Sequence, residues 1–174
     1  MLEIVLIVLV AAVALVLIAA ALRPSAFRIA RSATVKAPPE KVYALINDLP
    51  AFNSWNPFLR MEPDAKITYS GPQQGRGAAY TWEGKKMGAG RMEIVETTPP
   101  SKVAMRLEFL RPFAATNAAE FTIDGRGGDT IVTWAMSGRN TFVPKLMGLF
   151  FSMDKMIGKS FEDGLAGLKA KAEA

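Results

Sequence analysis

From Ile4 to Leu22 the chain carries no charged side chain, no polar side chain, no glycine and no proline. Such a run has no polar face to turn toward water. As a helix rising roughly 1.5 Å per residue, it matches the ~30 Å hydrocarbon thickness of a bilayer. We therefore expect residues 1–23 to form a transmembrane anchor and residues 24–174 to form one soluble domain, because about 150 residues fill one core and fall short of two. A cleavable signal peptide is the rival reading. It requires a positive n-region and a shorter apolar core, whereas Glu3 is the one charged side chain ahead of the run. Arg23, Arg28 and Arg31 follow the run while nothing basic precedes it, so the charge bias predicts a single-pass membrane protein with its soluble part in the cytoplasm.

Two absences narrow the chemistry. The chain has no cysteine and no histidine. Disulfides, thiolate nucleophiles, the usual zinc sites and Ser-His-Asp triads are excluded, which leaves carboxylates, lysines and tyrosines as possible catalysts. Neither a metal nor a cofactor is expected.

Beyond the apolar run the periodicity changes. Phe27, Ile29, Ala33 and Val35 alternate with Arg28, Ser32 and Thr34, the period of two that marks a half-buried strand. Pro38 and Pro39 end it, and Val42, Tyr43, Leu45 and Ile46 then fall at helical spacing, followed by an irregular turn from Leu49 to Trp55. Six further strands are predicted over Lys66–Ser70, Ala78–Trp82, Gly88–Glu96, Lys102–Leu110, Ala114–Asp124 and Asp129–Arg139. Their connectors are short, so neighbours pair antiparallel. Leu146, Phe150, Met153, Ile157, Phe161, Gly164 and Leu168 at steps of three and four predict one continuous final helix from about Val143 to Ala172. The sum is an α+β domain with the helices covering one face of the sheet. Alternation assigns Tyr80, Trp82, Met92, Ile94, Met105, Leu107, Phe109, Phe121, Trp134 and Met136 to the inner face, and Arg91, Glu93, Arg106, Glu108 and Glu120 to solvent. Arg106 and Glu120 are expected to face each other across two strands.

The stretches VKAPPEKVYALINDLPAFNSWNPF, TWAMSG and GKSFEDGLAGLKAKAE, in this order of elements, resemble the START-like superfamily, also called SRPBCC or polyketide cyclase/dehydrase and lipid-transport domains. The likeness covers about residues 25 to 172. It implies a helix-grip fold, a seven-stranded antiparallel sheet curled around the long C-terminal helix with a hydrophobic cavity between them. The residues expected to line that cavity are Phe52, Trp55, Phe58, Tyr80, Trp82, Met92, Met105, Leu107, Phe109, Asn117, Phe121, Trp134, Met136, Phe150, Met153 and Ile157. Phe52, Trp55 and Phe58 are placed near its rim. Met147, Met153 and Met156 suit an adaptable wall, and Tyr80, Asn117 or Asn140 is available to orient one polar group of a ligand.

Other chemistries fare less well. The segments GPQQGRG and GKKMGAGR lack the phosphate-loop pattern and precede strands, so both read as turns. Lysines and arginines are scattered singly, without the stripe that nucleic acid requires; Arg23, Arg28, Arg31 and Lys36 suit a membrane surface better. Three functions remain. The first is a membrane-tethered module that binds a hydrophobic small molecule or lipid. The second is a cyclase- or dehydratase-type enzyme acting on a polyketide-like or aromatic substrate, with Glu83, Glu93, Glu96 or Glu108 as its best carboxylate. The third is a non-catalytic interaction domain with a filled core.

Overall fold

The computed structural model describes residues 1–174. Helix α1 (Leu2–Leu22) leads into strand β1 (Ala26–Val35). Three short helices follow, α2 (Pro39–Asn47), α3 (Leu49–Asn53) and α4 (Pro57–Met61). The chain then runs as a meander through β2 (Lys66–Ser70), β3 (Ala79–Glu83), β4 (Ala89–Thr98), β5 (Lys102–Arg111), β6 (Ala115–Arg126) and β7 (Asp129–Arg139). Helices α5 (Phe142–Met147) and α6 (Met153–Ala172) end it. The sheet order is β1-β7-β6-β5-β4-β3-β2, and every pair is antiparallel. This is the helix-grip arrangement, with α6 lying against β1 and β7 and the short helices spanning the gap between the two edges.

Helix starts follow local chemistry. Proline occupies the first turn of α2, α3 and α4, where a missing N–H costs no intrahelical bond. The Asp48 carboxylate accepts from Ala51 N at 2.9 Å and caps α3, and Asn56 caps α4 by accepting from Phe58 N at 3.1 Å. The strands alternate as their sequence dictates. Met92 and Ile94 are buried between half-exposed Arg91 and Glu93, and Val103 and Met105 between Lys102 and Arg106. Shifts in the β4–β5 register at Ala89/Gly90 and Ile94/Glu96 bend the sheet. At the first, a Cβ on Gly90 would sit 2.3 Å from the Trp82 ring, so only glycine leaves room for that ring against β4.

The face of α6 that meets the sheet is made of Phe161, Leu165 and Leu168 with Gly158 and Gly164 between. Phe161 stacks on Trp134 with ring centroids 4.2 Å apart and planes 9° from parallel. Trp134 in turn stacks on Phe121 at 4.9 Å. Phe52 and Trp55 meet these rings edge-on at 5.9–6.3 Å, and such pairs each contribute about 0.5–1.5 kcal/mol beyond burial.

The outer face carries a lattice of ion pairs. Glu93 on β4 accepts from Arg106 at 2.9 Å and from Arg91, and the Arg91 hydrogen bond holds its carboxyl below the usual carboxylate range. Lys102 bridges Glu96 and Glu120 at 3.3 Å each. The expected Arg106–Glu120 pair is absent because the β5–β6 register puts Ala118 opposite Arg106 and Ala104 opposite Glu120.

Two further expectations need correction. The final helix is broken. Residues 148–152 leave helical geometry, and α6 restarts with Ser152 as its cap, its hydroxyl accepting from Lys155 N at 3.3 Å, and Asp154 in its first turn. The step-of-four stripe runs straight across this break, which hid it. Arg31 is no membrane-facing cation. It sits on the inner alternation of β1, with Nε 2.9 Å from Glu162 Oε1 and Nη2 3.0 Å from Asp154 Oδ2, and so ties β1 to the start of α6.

At the other end of the domain, Glu62 follows α4 and accepts from the backbone N–H groups of Lys85, Lys86 and Met87 at 2.6, 2.9 and 2.8 Å. The GKKM turn is therefore an anion nest filled by the chain's own carboxylate. Those N–H bonds, that of Met87 first, hold the Glu62 carboxyl below the usual range.

Two outcomes follow from this packing. Gly164→Ala would place a Cβ 2.6 Å from the Trp134 ring and 2.9 Å from Pro57 Cδ. Instead of the ~1 kcal/mol that alanine normally adds inside a helix, thermal unfolding should show a net loss of about 1–3 kcal/mol. Since the Glu62 carboxyl titrates lower when folded, its grip on the turn is complete above the unfolded value and is lost as pH falls through the folded one. Hydrogen-exchange protection at Lys85, Lys86 and Met87, taken relative to the intrinsic rate at each pH, should fall on acidification, and in Glu62→Gln it should be low already at neutral pH.

Candidate ligand-binding cavity

The curl of the sheet and the limited reach of α6 leave a hollow of about 250 Å³. Its floor is built from Phe52, Tyr80, Met92, Met105, Ala119, Phe121 and Trp134, all buried. Toward solvent the wall passes to half-buried Phe58, Met87, Leu107, Phe109 and Ile157. Met61 is 58% exposed and still lines the hollow, which locates the mouth between α4, the β3–β4 turn, the end of β5 and the start of α6. The Glu62 clasp joins two sides of that mouth, since Met61 and Met87 stand at its two ends. An engineered apolar cavity of ~150 Å³ stays dry and takes up benzene. This one is larger, and sixteen of its seventeen lining residues are hydrophobic.

Polar groups are few and mostly committed. Asn56 donates from Nδ2 to Asn53 Oδ1 at 3.1 Å and lies 3.4 Å from the Tyr80 hydroxyl, while its carbonyl serves Phe58 N. The Tyr80 hydroxyl finds as acceptor only Met92 Sδ at 3.9 Å, and a thioether accepts weakly. Burial pushes its proton loss well above the ordinary tyrosine value, so it stays a neutral donor. No charged side chain lines the hollow. Glu83 and Glu96 are exposed, and Glu93 and half-buried Glu108 lie within the outer lattice, so none of the four carboxylates singled out in the sequence lines the hollow. No cluster of three or more His, Cys, Asp or Glu side chains could hold a metal.

Twelve of the sixteen residues expected at the cavity meet there: Phe52, Phe58, Tyr80, Trp82, Met92, Met105, Leu107, Phe109, Phe121, Trp134, Met136 and Ile157. Four stand elsewhere. Trp55 is fully buried behind the floor, its Nε1 donating to Leu45 O at 2.9 Å, so it plugs the core and forms no rim. Phe52 is likewise floor, 2% exposed. Asn117 lies beside the cavity wall, where its amide meets Met136 Sδ at 3.9 Å and its Oδ1 has no partner. Phe150 is 68% exposed on the 148–152 break. Met153 lines a second hollow, of about 320 Å³, where α1 enters the domain; Arg23, Asn140 and Lys145 line it too. Met147 and Met156 are 51% and 65% exposed. The methionines of the cavity wall are instead Met61, Met87, Met92, Met105 and Met136.

Sequence reasoning missed Asn56, Met61, Met87, Ala119 and Phe161 as lining residues. Ala119 and Phe161 were legible as inward positions. Met61 and Met87 lie at a helix end and in a turn, where no period exists; a methionine stranded in a polar connector was the one available signal.

Solved structures share this architecture. Protein CV1439 from Chromobacterium violaceum superposes with a TM-score of 0.61 at 17% identity, over 87% of this chain and 99% of that one. The hypothetical protein jhp0584 from Helicobacter pylori gives 0.63 at 11% identity, over 84% and 88%. The Aha1 dimer from Colwellia psychrerythraea gives 0.58 at 16%, over 84% and 96%. At such identities the likeness is one of fold. No curated protein matches the sequence closely enough to serve as a relative. Residues 26–173, from the first strand to the end of the last helix, match the family described as polyketide cyclase / dehydrase and lipid transport, and the chain belongs to that family.

Proposed function

We propose that the protein is a membrane-tethered binding module for a hydrophobic small molecule or a lipid chain, held in the cavity between sheet and α6. The observation that carries this reading is the apolar hollow itself, with one under-used donor, Tyr80, in its wall. A guest that buries roughly 200 Å² of apolar surface gains about 5 kcal/mol. A charge taken in without a partner costs several kcal/mol. The two nearly cancel, so the portion of the ligand inside the cavity is uncharged. A carbonyl or hydroxyl oxygen within reach of Tyr80 Oη would replace the weak sulfur contact and fix orientation. The five wall methionines, unbranched and polarizable, allow the hollow to adapt to guests of different outline.

The tether is α1. It is 21 residues long and apolar enough to cross a bilayer. Arg23 and Arg28 remain exposed at its C-terminal end and favour the cytoplasmic side for residues 24–174. Anchoring keeps the cavity beside a store of apolar ligands.

The test fills the hollow. Ala119 is 5% exposed on its floor, and Ala119→Phe introduces a ring where the guest would lie. In titrations of the full chain in nanodiscs with the fluorescent probe 1-N-phenylnaphthylamine, corrected for empty nanodiscs, the native protein should bind saturably. The variant should bind at least about tenfold more weakly, a loss of ~1.4 kcal/mol, at an unchanged melting temperature. Equal binding by the two proteins would refute the cavity as the site.

A further inference from the structure

After α1, seven of the eleven exposed large hydrophobic side chains fall between Phe142 and Met156. Phe150, Phe151 and Met156 are 68%, 67% and 65% exposed, and Phe142 and Met147 are 45% and 51%. Aromatics exposed to that degree contribute nothing to the core of the domain.

What covers them is indicated by α1. Its C-terminal end packs on α5. Ala20 is its one buried residue, and Lys145 of α5 donates from Nζ to Ala21 O at 3.2 Å, satisfying a carbonyl left open by the helix end. The rest of α1 is bare of protein. If the bare length lies in a bilayer, α5 is held within the interfacial layer where the helix emerges. The apolar side chains that follow are then at the depth where aromatic residues settle, and Arg23 and Lys145 stand at headgroup level.

We propose that α5 and the 148–152 break are inserted into the surface of the lipid bilayer, so that the cavity mouth opens onto it. The band reaches the mouth at Met156, and a further exposed apolar side chain adjoins the mouth from β5. Met156 precedes lining residue Ile157, and Leu110, 64% exposed, follows lining residue Phe109. An apolar guest could then pass from membrane to cavity without crossing water. This proposal rests on the tethering reading, and on the cavity reading only for its purpose.

The absence of cysteine lets a label be placed uniquely. Phe150→Cys and Ser101→Cys, each carrying an NBD fluorophore, are to be reconstituted as full chains in phosphatidylcholine–phosphatidylglycerol vesicles. Ser101 lies in the turn at the opposite end of β5 from Leu110, about 30 Å along the strand. The label at 150 should be blue-shifted, shielded from aqueous iodide and quenched by nitroxide-bearing lipid, and the label at 101 should show the reverse. Adding Phe142→Asp and Phe151→Asp should return iodide access at 150. A label at 150 as iodide-accessible as that at 101, in chains that float with the vesicles, overturns the insertion while leaving the anchor intact. Chains that fail to float overturn anchor and insertion together. Phenylnaphthylamine binding in the same samples reports separately on the cavity.

Discussion

Strands spaced about 4.8 Å apart make a seven-stranded sheet close to 29 Å wide, whereas one helix with its side chains is about 10–12 Å across. No single helix can cover such a face. Helix α6 takes the β1–β7 side, drawn in tightly because Gly158 and Gly164 leave room for Arg31 and for the Trp134 ring. The short helices α3 and α4 fold in from the opposite edge, with Phe52 and Trp55 beneath them. Between these two covers the curled sheet still presents Tyr80, Met92, Met105 and Phe109. The unfilled width is the cavity, and its existence follows from the mismatch in size between the two kinds of element.

The same geometry decides what the cavity can hold. Alternation along β4, β5 and β6 sends every charge of those strands outward, where Arg91, Glu93, Lys102, Arg106 and Glu120 neutralise one another. Inside, a neutral tyrosine hydroxyl is the one donor with capacity to spare. Chemistry that needs a titratable group near neutral pH would have to bring that group with the substrate. Binding needs only apolar surface, which the wall supplies. Around the mouth, the Glu62 clasp on one side and the start of α6 on the other are the two places where the covering elements end.

Much of this was legible in the residues. Period-two alternation placed Tyr80 and Trp82, Met92 and Ile94, and Trp134 and Met136 on the inner face, because each pleat turns alternate side chains the same way. The apolar run to Leu22 announced a helix that stands apart from the domain. What was not legible arose where period fails or misleads. Leu146, Phe150, Met153 and Ile157 keep helical spacing across a segment that is not helical, since spacing alone cannot see Ser152 acting as a cap. Arg31 shares the inner alternation of β1 but reads in sequence as an exposed cation, because its partners Asp154 and Glu162 lie more than a hundred residues away. Asn56, Met61 and Met87 belong to connectors, and only the folded chain brings connectors together.

Methionine methyl groups offer the most direct reading of whether a guest occupies the hollow. The chain has nine methionines, of which Met61, Met87, Met92, Met105 and Met136 line the cavity, while Met147, Met153 and Met156 lie outside it. In ¹³C-methyl spectra of the full chain in nanodiscs, titrated with 1-N-phenylnaphthylamine, the account predicts that the five wall methyls shift together along one saturating curve while the other three do not follow it. Five unmoved wall methyls in the presence of probe that the protein demonstrably takes up would contradict it.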